Sequence, residues 1–168
     1  VASAATVNIF ADPFEGLSIL IVFDPVMAST SGAALADAAT VLAFERLMTI
    51  ATLTTPNVAE LTALGGIEAM AERGIAYLDK GGDAAGPEVE DVLVRPGMGD
   101  RVWREPRINT SHSHGTGCTL SSAIATLLGK GLPLEEAIDS ARQFVRAALA
   151  AAPGFGAGNG PMGHQAVR

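Results

Sequence analysis

Four consecutive residues, Gly115, Thr116, Gly117 and Cys118, carry the most concentrated chemistry in the chain. They open onto TLSSAIATLLGKG, where Leu120, Ala123, Ile124, Leu127 and Leu128 recur on one helical face before Gly129 and Gly131 stop it. A glycine hinge at a helix start leaves backbone N–H groups without intrahelical partners. Those groups and the helix dipole bind anions, and glycine lets a phosphate come close. Cys118, the only cysteine, stands where a thiol pKa tends downward and a thiolate becomes accessible. Two chemistries fit, an anion hole for a transferring phosphoryl group and a nucleophilic cysteine. The plain alternative is a glycine turn followed by a cysteine packed in the core.

Three other places add to this. Asp24 ends the apolar run LSILIVF, where a carboxylate is rarely buried without a partner; capping the next turn is the simpler role. Asn57 and Glu60 stand three apart after ATLTTP. That is the spacing of a capping box, yet one well-placed Glu also suffices for Mg²⁺ beside substrate phosphates. Lys80 precedes Gly81 and Gly82, suited to pairing with a phosphate or else solvated in a loop. Three strand ends and a helix start presenting Asp, Glu, Lys and an anion-binding loop match an open α/β sheet, whose ligands bind outside the carboxyl ends of the strands.

The elements that must position these residues follow from periodicity and breakers. LSILIVFDPV reads as a doubly buried strand of a parallel sheet. A helix is predicted from about Ala33 to Met48, then a short strand in ATLTTPN stopped by Pro56. VAELTAL predicts a short helix ending at Gly65-Gly66, and GIEAMAERG another closed by Gly74. IAYLDKGGD reads as a strand entering a glycine turn, and EVEDVLV with RVWREPRI as a hairpin around PGMGD. A last helix starts at Pro133, with Glu135 and Glu136 at its positive end, and stops before Pro153. No repeat or linker divides the 168 residues, so a single layered α/β domain is expected, with a glycine-rich tail over 154–168.

Composition narrows the function classes. With 48% hydrophobic and 17% charged residues the chain is globular, and its net charge of −7 without basic runs argues against nucleic acid. The apolar run ILIVF is far too short to span a bilayer. One cysteine and no recognisable leader point to the cytoplasm. Phe44 and Trp103 read as packing residues, His164 as a surface residue, and Asp83, Glu88, Glu90 and Asp91 as a solvated acidic face.

The segments VFDPVMASTSG, TTPNVAELTALGG, KGG, HGTGCTLSSAIATLLGKG and GNGPMGH resemble, in this order, the hydroxymethylpyrimidine/phosphomethylpyrimidine kinases of thiamine biosynthesis, in the ribokinase-like superfamily. The Gly-Thr-Gly-Cys form is specific, because most relatives in the superfamily have Asp where this chain has Cys118. The resemblance implies a three-layer α/β/α sandwich with a mostly parallel central sheet. It implies ATP-dependent phosphorylation of hydroxymethylpyrimidine and then of its monophosphate. Gly115, Thr116, Gly117 and Cys118 would form the anion hole, with Cys118 where relatives put their catalytic base. Lys80, with Gly81 and Asn57 beside it, would hold ATP phosphates, and Asp24 and Glu60 would organise Mg²⁺. Lys130 and Gly160 would border the adenine pocket.

The family's Gly-Ser-Asp and Gly-Gly-Ala-Gly pattern is missing. VNIFADPFEG, within a degenerate or gapped region over 1–16, is a candidate remnant of the pyrimidine-binding segment, and the N-terminal part reads as reduced or missing. The segment from Gly66 to Lys80 is shorter than in relatives, and Asp83 replaces the usual His. A reduced sheet exposes an edge and an apolar face, so a homodimer is expected. Other readings are a non-catalytic nucleotide-binding module and a hydrolase or transferase pairing Cys118 with His112 or His114. A metal site of His112, His114 and Cys118 lacks the fourth ligand of structural zinc.

Overall fold

The computed structural model describes residues 3–28 and 35–167, and the chain divides into two compact units, Val1–Pro106 and Arg107–Arg168.

The first unit is built on a five-stranded sheet in the order β1-β2-β3-β4-β5. Strands β1 (Val22–Phe23), β2 (Leu53–Thr54) and β3 (Tyr77–Lys80) pair in parallel. Strands β4 (Glu88–Val94) and β5 (Arg101–Pro106) continue the sheet antiparallel, with Lys80 opposite Asp91 and Asp91 opposite Trp103. The hairpin is the one that PGMGD predicts. The two strands expected in LSILIVFDPV and ATLTTPN are present but only two residues long each.

Helix α1 (Ala4–Ala11) carries the first half of VNIFADPFEG, for which the sequence predicts no element. Ser3 caps it by accepting from the Thr6 N–H, and a 3-10 turn at Asp12–Phe14 ends it. Arg46 of α2 (Ala38–Ile50) ties this end down through Asp12 at 2.6 Å and Glu15 at 2.5 Å. Helix α2 starts later than the predicted Ala33, because Asp37 accepts from the Thr40 N–H and fixes the N-cap. Positions 33 and 34 lie outside the described residues. Helices α3 (Val58–Ala63) and α4 (Gly66–Glu72) join β2 to β3. Val7, Ala11, Phe23, Phe44, Met48, Met70 and Tyr77 share one core, with Phe23 and Phe44 edge to face. Trp103 is buried as well.

The second unit pairs α5 (Thr116–Gly129) with α6 (Leu134–Ala150) through Leu120, Ile124, Leu128, Ala137, Ile138 and Ala141. Both helices stand where their periodicity places them. The following tail returns to them, with the Gly163 N–H donating to the Ala148 carbonyl at 2.8 Å.

Candidate active site

Because β1, β2 and β3 run parallel, their carboxyl ends open on the same side of the sheet, and each delivers a polar residue there. Asp24 follows β1, Thr55 follows β2 and Lys80 closes β3. The Lys80 N–H donates to the Pro56 carbonyl at 2.9 Å, which carries the strand edge past β2 to Asn57. Lys80 Nζ then meets Asp24 Oδ1 at 2.7 Å and stands 4.0 Å from Glu60 Oε2. Thr55 Oγ1 donates to the same Asp24 oxygen at 3.2 Å.

Asn57 and Glu60 make the full capping box of α3. The Asn57 N–H donates to Glu60 Oε2 and the Glu60 N–H to Asn57 Oδ1, each at 2.8 Å. The structural role and the proximity to Lys80 therefore coexist. The Asn57 amide reaches on to Asp83 at 3.1 Å, tying the Gly81–Asp83 turn to α3. Gly81 has no room for a side chain, since a Cβ there would overlap the Glu90 carbonyl, and its N–H donates to Asp91 Oδ1 at 3.0 Å. Asp91 is thus buried and bonded, which corrects its reading as part of a solvated face. Glu90 pairs with Arg104.

Burial pushes the Glu60 carboxyl above its ordinary value. The Asn57 N–H, the Lys80 ammonium and the Met27 N–H oppose that rise, and the Asp24 charge adds to it. Asp79, one residue before Lys80 and so on the opposite face of β3, is also raised by burial and then by Asp91 and Glu90. As to a metal, Asp24 and Glu60 present two carboxylates bridged by one ammonium, with Thr55 and Lys80 both on Oδ1 of Asp24. Mg²⁺ needs one or two carboxylates with phosphate and water, so this donor set fits it. Among the described residues no group of three or more His, Cys, Asp or Glu could hold a metal, so His112, His114 and Cys118 form no ligand set.

In the second unit, Gly115 adopts φ 83° and ψ 11° at the N-cap of α5, a left-handed turn that glycine accepts without strain. The Thr116 N–H closes a turn onto the Ser113 carbonyl, and the helix ladder begins with the Thr119 N–H on Gly115. Ser121 is buried and donates to the Gly117 carbonyl at 3.0 Å, fixing the loop from within. The Cys118 thiol is exposed, which sets aside the packed-core reading. Lys130 is exposed at the C-cap of α5, and Gly160 is buried against His112.

The phosphomethylpyrimidine kinase family model matches residues 1–163. The chain belongs to this family. It is 39% identical to the hydroxymethylpyrimidine/phosphomethylpyrimidine kinase of Rhizobium meliloti, covering 98% of this chain and 68% of that one. With the kinase of the same name from Streptomyces coelicolor it shares 35% identity, over 97% of this chain and 65% of that one. A multifunctional thiamine biosynthesis protein, ThiED of Corynebacterium efficiens, is 36% identical over 88% of this chain and 22% of its own length. The chain thus spans about two thirds of the single-function relatives and less of the fused one.

Among solved structures, a Bacillus subtilis pyridoxal kinase in complex with ADP superposes with a TM-score of 0.83 at 26% identity, over 99% of this chain and 68% of that one. A Clostridium difficile phosphomethylpyrimidine kinase gives 0.66 at 26% identity, over 87% and 64%. The fold is therefore the ribokinase-like one of these kinases, of which the chain spans 64–68%.

Within this phosphomethylpyrimidine kinase family chain, Asp24, Asn57, Glu60, Lys80 and Gly81 gather in the first unit. Gly115, Thr116, Gly117, Cys118 and Lys130 lie on one helix and its cap in the second. Thr55 escapes a reading of the sequence because Thr-Thr before Pro-Asn looks like ordinary strand and turn. Its one signal is its position at the end of a strand, next to that of Asp24.

Proposed function

We propose that this protein is an ATP-dependent kinase that phosphorylates hydroxymethylpyrimidine and then its monophosphate in thiamine biosynthesis. The observation that carries this reading is the Gly115–Cys118 loop at the N-terminus of α5, in a chain of the phosphomethylpyrimidine kinase family. The names of the relatives and the ADP complex of the pyridoxal kinase support it.

Phosphoryl transfer asks a protein mainly for positioning and charge stabilisation. In this scheme the Gly115–Cys118 loop, at the positive end of α5, stabilises developing charge on the transferring group, with the Cys118 thiol beside it. Lys80, held by Asp24, exchanges part of that pairing for phosphate oxygens. Asn57 and Gly81 keep the strand end and the turn in place for that contact. Mg²⁺, when bound through Asp24 and Glu60, supplies positive charge to the phosphate chain. Lys130 and Gly160 border the adenine in this scheme. The protein acts as a cytoplasmic homodimer; no described helix is long and apolar enough to cross a membrane.

The test is direct. The purified protein is incubated with ATP, Mg²⁺ and hydroxymethylpyrimidine, and ADP and both phosphorylated pyrimidines are quantified. Formation of the monophosphate and then the diphosphate is the expected result. Mg²⁺-dependent ATP binding without either product would replace this reading with that of a nucleotide-binding module.

A further inference from the structure

All three histidines of the chain, His112, His114 and His164, stand where the C-terminal tail meets the Gly115–Cys118 loop. The contacts are of three kinds. His164 Nε2 shares a 3.0 Å hydrogen bond with Thr119 Oγ1, on the residue directly after Cys118, and its ring tilts over Phe144 at 6.2 Å. The His114 N–H donates to the Gly160 carbonyl at 3.3 Å, and His114 and Pro161 form a parallel bridge. The His112 ring lies so close to Gly160 that any Cβ there would overlap Nδ1 and Cε1, with the Phe155 carbonyl on the other side at 2.7 Å. His112 Nδ1 is buried and has no hydrogen-bond partner among the described residues.

A buried imidazole nitrogen without a partner is unfavourable, and proteins retain such groups rarely. Here the ring serves as a shaped wedge that only glycine at 160 can accommodate, so it selects one position for the tail against the loop. The tail is also anchored at its far side, where Gly163 sits against Ala151 and donates to the Ala148 carbonyl. Between the wedge and that anchor, little freedom remains for 160–164. The His164–Thr119 bond then transmits the fixed position of the tail to the first turn of α5.

We propose that the tail is a strap that sets the geometry of the anion-binding loop, with His112 and His164 as its positioning residues. Neither imidazole needs to touch substrate for this. The effect on turnover rests on the kinase reading above. The effect on the loop itself does not, because Cys118 is the only thiol and is exposed. Its alkylation rate reports loop geometry whether or not the protein transfers phosphate.

The experiment measures carboxamidomethylation of Cys118 by iodoacetamide in the full chain, for wild type, His164→Ala, His164→Gln, Thr119→Val and the His164→Ala/Thr119→Val pair. Circular dichroism first establishes that each variant is folded at the assay temperature. Loss of one hydrogen bond that orders the loop should change the rate by about fivefold. Thr119→Val should match His164→Ala, the double variant should add nothing, and His164→Gln should recover part of the wild-type rate. Should His164→Ala fail to fold, Thr119→Val decides alone, since it removes the same bond from the helix side. Wild-type alkylation rates in the folded variants would overturn the strap, as would fully additive effects. If the strap holds and the kinase reading holds, His164→Ala lowers kcat more than it raises KM for ATP. Altered alkylation in a protein without transferase activity would leave the strap standing and remove the kinase reading.

Discussion

Cys118 is third in α5 and exposed, at the positive end of the helix dipole. Its thiol adds little to packing, so Cys118→Ala should leave ATP affinity nearly unchanged and lower phosphoryl transfer about 100-fold, the range of a lost proton-transfer group. Equal losses in binding and turnover, read by calorimetry beside steady-state kinetics, would make the residue structural. Lys80 behaves differently, because it is nearly buried and bonded to Asp24 at 2.7 Å. Lys80→Ala should weaken ATP binding about 10- to 100-fold, the worth of a charged hydrogen bond. It should also lower stability by about 3 kcal/mol, since it strands the Asp24 carboxylate without its partner.

Glu60 has two roles, and Glu60→Gln separates them. Glutamine at this position still accepts from the Asn57 N–H, so the capping box survives. Burial raises the Glu60 pKa above its ordinary value, so the folded protein holds this proton more tightly than the unfolded chain. That contribution to stability is complete below the unfolded value and is lost as pH rises through the folded one. Relative to wild type, Glu60→Gln should thus be more stable at pH 7 than at pH 4, by thermal unfolding at both. Its Mg²⁺-dependent transfer should fall about 100-fold, as for loss of one charge-stabilising group.

At the scale of elements, the sequence is most legible where one local signal decides the structure. Helices α5 and α6 follow their apolar spacing, and the Asn57–Glu60 pair forms the box its spacing foretells. The parallel strands are less legible, because β1 and β2 shrink to two residues each, β1 within a longer apolar run and β2 within a threonine-rich one. Helix α1 escapes notice because Ala4–Ala11 mixes alanine with Val7 and Ile9 and carries no charge; the cap at Ser3 is its one signal. The partners of Asp24 are invisible for another reason: Lys80 lies 56 positions away and arrives only through strand order. The turn after β3 allows a sharper test. A Cβ on Gly81 would meet backbone, which cannot rotate aside. Gly81→Ala should therefore cost about 1–3 kcal/mol in urea unfolding, as overpacking does. It should also weaken ATP binding, because Lys80 ends the strand that must shift. The matching Gly82→Ala, with open space around it, should do neither.

The whole molecule raises the question of what covers the first unit. Strand β1 is an outer strand of the sheet, and Ile9 and Phe10 of α1, Leu17 and Leu20 before β1, and Leu42 of α2 are 56–70% exposed. Single exposed apolar residues are normal, whereas several on neighbouring elements mark an association surface. An outer strand of only two residues offers little for edge-to-edge pairing, so side-chain burial must drive the contact. The net charge of −7 opposes self-association weakly and over a range that salt shortens to about 10 Å at 0.1 M. Sedimentation velocity should accordingly show a homodimer that tightens slightly from low to moderate salt. Phe10→Asp should shift it to monomer while leaving the far-ultraviolet spectrum unchanged, since the Phe10 side chain is exposed on α1. A wild-type monomer at micromolar concentration would remove the homodimer. A dimer unaffected by Phe10→Asp would move its interface away from α1.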